Sequence, residues 1–257
     1  MLFSLVKIVL LLIFVTKTAS TDLRQEQSIL TQLVYYDCGS WIVYESLIQN
    51  MLLANGMYLD KIALPFKELL YDLHANYWKI KFPEGLSKPK PIHNIKPAST
   101  FYVIIDNTSK IIDVVTEMKN GHYIKCKRVD NYTLEPPDIG QNDYGYECGH
   151  EIFSHKIVQM SADLSRTENN RNKKYLFPYR GPLYWPESDY FIYPLSREMN
   201  PQYAAKNPES IYFVVLSPTG QIIDVVAELR RGDFIQCART AKVPPNTESD
   251  EDLRLGY

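Results

Sequence analysis

The sequence has 257 residues, 45% of them hydrophobic and 23% charged, with a net charge of −2. A chain of this length holds one or two domains. Its composition excludes a disordered or fibrous protein, and its near-neutral charge argues against tight, salt-resistant binding to a polyanion. Tyrosine is the outlier: 19 residues against 10 Phe and 3 Trp, rings that suit both cores and sticky surfaces.

The chain opens with MLFSLVKIVLLLIFVTKTAS, an apolar run interrupted by Lys7 and followed by the small residues Thr18, Ala19 and Ser20. Ile8 to Val15 is too short to cross a bilayer, so residues 1–20 read as a secretory signal peptide. The mature form is expected to be secreted and to have no membrane association. An N-terminal arm covers 21–35. A first unit is expected over 36–128, starting at YDCG, where Ser40 caps a helix with Tyr44, Leu47, Ile48, Met51 and Leu52 on one face and Asn55-Gly56 at its end. A Pro- and Tyr-rich middle, ALPFKELL to YWKIKFPEG, reads as short strands and loops. The stretch FYVIIDNTSKIIDVV then reads as a hairpin, and HYIKC as a closing strand.

After a polar linker over 129–143 the pattern returns over 144–240. It has YECG, a weaker helical face at Ile152, Phe153, Lys156, Ile157 and Met160, then LFPYRGPLYWPESDYFIYPLS, the hairpin YFVVLSPTGQIIDVV, and DFIQC. Ser154 and Asp163 read as solvated, and residues 241–257 as an acidic disordered tail. Ser99–Arg128 aligns with Ser210–Arg239 at a constant offset of 111, and thirteen of the thirty positions are identical, which marks a duplication. Four cysteines in an exported chain read as a disulfide framework, and the repeat selects Cys38–Cys126 and Cys148–Cys237 from the three connectivities. The fold class is therefore α+β: two tandem domains, each with one helix on a mostly antiparallel sheet and closed by one disulfide. No spacing suits a metal, the five histidines are scattered, and no cofactor motif is present. Sequons at Asn107 and Asn131 are candidate glycosylation sites.

The order of Tyr-x-Cys-Gly, helix, aromatic-Pro strand, Val-Val hairpin and final Phe-x-x-Cys resembles the fungal guanyl-specific ribonucleases. The closest stretches are FVVLSPTGQIIDVVAE (Phe213–Glu228), FIQC (Phe234–Cys237) and YFIYPLS (Tyr190–Ser196). The two-cysteine, Tyr-rich form is most similar to the secreted ribonuclease-like effectors of powdery mildew fungi. Those ribonucleases need a base with an assisting His, an acid and a phosphate-binding Arg. Carried over, the assisting His falls on Phe66 and Tyr179, the base Glu on Lys81 and Ile192, the Arg on Tyr102 and Phe213, and the acid His on Glu117 and Glu228. Only the aromatic before the final Cys is kept, as Tyr123 and Phe234. The resemblance thus implies a pseudo-ribonuclease without enzymatic activity. It implies an effector, with translocation into host cells as one destination, that binds single-stranded or ribosomal RNA or a ribonucleoprotein without cleaving it. Stacking would occur on these rings, and Lys79, Lys81, Lys88, Lys90 and Lys96 make the first repeat the better RNA candidate. The alternative is a binder of a host protein that uses aromatic loops such as Tyr179–Pro194.

Overall fold

The computed structural model describes residues 34–90, 99–130, 144–167, 175–195 and 210–242. The signal peptide, most of the arm and linker, Asn131, Lys96 and the tail beyond 242 lie outside the described residues. Among the described residues no helix is long and apolar enough to cross a membrane.

The first repeat runs β1 (Tyr35–Asp37), β2 (Trp41–Tyr44), α1 (Glu45–Ala54), α2 (Leu59–Ile62), β3 (Leu64–Phe66), β4 (Tyr77–Lys81), β5 (Lys88–Pro89), β6 (Phe101–Ile105), β7 (Ile111–Glu117), β8 (Tyr123–Lys125) and β9 (Lys127–Val129). The second runs β10 (Gly145–Cys148), β11 (Glu151–Ser154), α3 (His155–Arg166), β12 (Phe177–Pro178), β13 (Phe191–Pro194), β14 (Tyr212–Leu216), β15 (Ile222–Glu228), β16 (Phe234–Gln236) and β17 (Ala238–Thr240). The protein is α+β, and every strand pairing within its sheets is antiparallel. Each repeat has two sheets rather than one. Five-stranded sheets, β3-β4-β6-β7-β8 and β12-β13-β14-β15-β16, form the body. The smaller sheets β5-β2-β1-β9 and β11-β10-β17 carry the chain ends of each repeat. Both expected disulfides are present, spanning 88 and 89 residues.

The starts of the repeats differ from the helical reading. Tyr-x-Cys-Gly is the turn of a small hairpin, closed by a hydrogen bond from the Cys38 N–H to the Trp41 carbonyl and one from the Gly39 N–H to the Asp37 carboxylate. Ser40 therefore caps nothing, and α1 follows Tyr44 without a side-chain cap. In the second repeat Ile152 and Phe153 belong to β11. Ser154 is buried and is the residue that caps α3, accepting from the Ile157 N–H at 3.4 Å. The buried face of α3 is Val158, Ser161, Ala162 and Ser165. The tyrosine of the signature is buried in both repeats, and β-pairing sets Tyr36 opposite Arg128 and Tyr146 opposite Arg239. Burial pushes the Tyr36 hydroxyl up to about 12.

The Val-Val pairs explain the two-sided body. Strand side chains alternate between faces, yet Val114, Val115, Val225 and Val226 are all fully buried. Val114 and Val225 enter the main core beneath the helices. Val115 and Val226 enter separate aromatic clusters on the opposite face. The main core is shared: one cluster of buried side chains includes Ile48, Met51 and Met118 of the first repeat and Val158, Ala162 and Leu229 of the second. Met118 and Leu229 pair as an antiparallel bridge between the repeats. Leu229→Ala is expected to cost about 2–5 kcal/mol in urea unfolding, as for other buried leucines. Leu53→Ala, at a side chain 80% exposed, should stay within about 0.5 kcal/mol.

Candidate functional site

The face of the first body sheet that points away from the main core carries Phe66, Lys79, Tyr102, Ile104, Val115 and Tyr123, one or two from each strand as alternation requires. Phe66 and Tyr102 set their rings edge-on to Tyr123, with centroids 5.1 and 5.7 Å away. The Lys79 ammonium donates to the Tyr123 hydroxyl at 2.8 Å and lies 4.8, 5.2 and 5.7 Å from the ring centres of Tyr123, Tyr102 and Phe66. This is a cation held in a cage of three rings.

The second repeat builds the same cluster without the cation. Phe234 meets Tyr179 at 5.6 Å and Phe213 at 5.9 Å, and Ile192 is buried in the same cluster. Register identifies the counterpart of Ile192. Ile192 lies opposite Val215, and the residue opposite the matching Ile104 is Lys79. Lys81 instead faces Tyr102, is solvated, and pairs with Glu84 at 3.5 Å. The assignment of Lys81 is thus corrected by two residues: Pro83, which anchored it, lies beyond β4, whereas Pro194 lies within β13.

Of the positions singled out by resemblance, Phe66, Tyr102 and Tyr123 come together, as do Tyr179, Ile192, Phe213 and Phe234. Glu117 and Glu228 border these clusters, opposite Tyr123 and Phe234 in the pairing of the last two body strands, and each carboxylate reaches across to the other repeat. Arg230 holds Glu117 at 2.7 and 2.9 Å, and Lys119 holds Glu228 at 2.9 and 3.0 Å. Most of these rings pack on one another, Tyr179 also lines a cleft, and beside Phe66 and Tyr123 in sequence Glu68 and His122 form a partly exposed carboxylate–imidazole pair at 3.7 Å. Among the described residues no group of His, Cys, Asp and Glu is arranged to hold a metal. The lysine cluster is also dispersed. Lys79 is caged, Lys88 lies over the Tyr44 ring at 5.1 Å, and Lys90 pairs with Asp37 at 2.7 Å.

An open concavity lies beside the ring cluster of the second repeat. The loop from Tyr179 to Tyr190 arches over a cleft of about 320 Å³, lined by Tyr179, Arg180, Tyr184, Trp185, Tyr190 and Asp233. The Tyr179 N–H donates to the Tyr190 carbonyl at 2.7 Å and closes the base of the loop. Tyr184 packs against Tyr179 and Tyr190, each at 5.3 Å, and Trp185 is 58% exposed.

The anchor beneath this loop lies outside the positions singled out by resemblance. The Tyr184 hydroxyl donates to the Asp224 carboxylate at 3.0 Å, and Gln236 donates to the same oxygen at 2.9 Å. The first repeat has the same device, with Tyr71 donating to Asp113 at 3.1 Å and Lys125 at 3.2 Å. Its signal was the Ile-Ile-Asp-Val-Val shared by both hairpins, which places a carboxylate where a ring would otherwise pack. Compared with protein-family models, curated proteins and solved structures, the chain shows no match to any.

Burial raises the Asp113 and Asp224 carboxyls above the ordinary value of 3.8, and burial by itself also raises the hydroxyls of Tyr71 and Tyr184. A raised carboxyl binds its proton more tightly when folded. Its contribution is therefore complete below 3.8 and is lost as pH rises through the folded value. Asp224→Asn should flatten the stability profile above pH 3.8, whereas the wild type should lose stability over that rise; urea midpoints across pH 3.5–7 read the difference.

Proposed function

We propose that the chain is a secreted, non-enzymatic binding protein of the effector type, built from two ribonuclease-like units. It takes an unpaired base of single-stranded or ribosomal RNA into the cleft of the second repeat and leaves the strand intact. The observation that carries this reading is the replacement, in both repeats, of every acid–base position by packed rings, an aliphatic or a caged lysine, with the glutamates turned to the sister repeat. Transfer of a 2′-hydroxyl proton needs a base and an acid on either side of the phosphate, and the positions that the resemblance assigns to them hold no such pair. Two disulfides and the apolar leader support an oxidising, extracellular route. Asn107 lies exposed in the β6–β7 turn, where a sequon is accessible to glycosylation.

The cleft supports base capture because planar rings stack on Tyr and Trp without needing many cations. It also moves the RNA-binding candidate from the first repeat to the second, since the lysines of the first are engaged locally. A protein target is the second reading. Leu53, Met57, Leu69 and Leu73 of the first repeat are exposed to a degree unusual for large apolar side chains.

Fluorescence anisotropy with labelled single-stranded RNA separates the readings, and a gel of the recovered RNA checks that it is uncut. Base capture predicts binding that Trp185→Ala weakens roughly 5- to 100-fold, the range for loss of one stacking ring, and that Lys81→Ala leaves within a factor of two. Cut RNA would overturn the non-enzymatic reading. Absence of binding at low salt would remove RNA and favour the protein target.

A further inference from the structure

The repeats meet through one surface used twice. The Lys119 N–H donates to the Glu228 carbonyl at 3.0 Å, and the equivalent Arg230 N–H donates to the Glu117 carbonyl at 3.2 Å. Between these two bonds lies the Met118–Leu229 bridge, and both of its side chains are fully buried. Outside them the side chains repeat the exchange, Lys119 to Glu228 and Arg230 to Glu117. The signature glycines are equivalent as well. A methyl on Gly39 would overlap the Phe234 carbonyl oxygen, and one on Gly149 would lie 2.7 Å from the Tyr123 carbonyl oxygen. Both glycines have positive φ, 85° and 74°. Next to them, Ser40 donates to the Asp233 carboxylate on one side, and His150 meets His122 on the other with ring centres 4.6 Å apart.

A patch in which residue i meets j and j meets i is self-complementary, the arrangement of a two-fold dimer. We propose that this surface is a recognition surface that holds its partner without the connecting chain. The partner it fits is a second Tyr-x-Cys-Gly unit bearing the same Glu-apolar-basic triplet at its hairpin end. The triplets are Glu117-Met118-Lys119 and Glu228-Leu229-Arg230. Buried apolar side chains and paired backbone groups supply the attachment. The exposed ion pairs fix the register, since pairs of this kind add little strength. The fourth residue of the signature is then a docking residue: any side chain there pushes the sister backbone away.

The test places a specific protease site within residues 131–143 of the full chain, folds and oxidises it, cuts it, and runs gel filtration under non-reducing conditions. The two disulfide-closed halves are expected to elute together at the volume of the uncut chain and to remain together in 0.5 M salt. Arg230→Glu, at a side chain 71% exposed and so harmless to its own repeat, sets two carboxylates against each other and should raise the dissociation constant of the cut halves at least tenfold. The charge exchange Glu117→Arg with Arg230→Glu should restore it to within about threefold. Gly39→Val should prevent co-elution. Halves that separate on cutting, or an Arg230→Glu variant that the exchange does not rescue, would overturn the proposal.

Discussion

The reciprocal pairing of two hairpin ends across a local two-fold is the constraint on which the rest of the molecule depends. Two backbone hydrogen bonds and one buried Met–Leu contact join strands that lie 111 residues apart in sequence. That junction fuses the cores beneath the helices into one. It engages the carboxylates of Glu117 and Glu228, at the border of the ring clusters, with Arg230 and Lys119 of the opposite repeat. It also fixes the residue after the first cysteine of each unit as glycine, because the sister backbone occupies the space of a side chain. The recurring Tyr-x-Cys-Gly thus has three local reasons. The tyrosine is core, the cysteine closes the disulfide, and the glycine admits the neighbour.

Around this shared junction the two repeats have diverged where packing leaves room. Both keep a body sheet buried on two faces, which is why the hairpins carry consecutive valines instead of a simple alternation. Both keep a buried aspartate gripping a loop tyrosine. Yet one cluster encloses Lys79 where the other has Ile192. The lysine satisfies its charge on a hydroxyl and three ring faces, while the isoleucine closes an apolar cluster beside which the longer, Trp-bearing loop stands open. An internal cation and an open aromatic cleft are thus alternative uses of one scaffold.

Much of the architecture was legible in the sequence because it is repeated there. Duplication, the hairpins with their turns, both disulfides and the aromatic strands follow from identity at a fixed offset and from β-branched runs. The small sheets were not legible: β1, β2 and β9 are three or four residues long, and Ile152 and Phe153 have a spacing that a helix satisfies as well as a strand. Ser40 sat where a cap belongs, but its partner, Asp233, is 193 residues away. Lys81 was placed by a proline that lies outside the strand, an error that only register exposes. The ring clusters were found by position, but their closure, the Tyr–Asp anchors and the inter-repeat exchange depend on contacts that no local pattern encodes.

Amide hydrogen exchange at Lys119 and Arg230 tests the central junction most directly. Both residues sit at exposed hairpin ends, where an amide without a partner exchanges within the dead time of the measurement. The reciprocal bonds to Glu228 and Glu117 predict that both amides are protected, and to the same degree as those of the buried body strands at Val115 and Val226. Fast exchange at both positions, with the body strands still protected, would show two independent repeats and contradict the account.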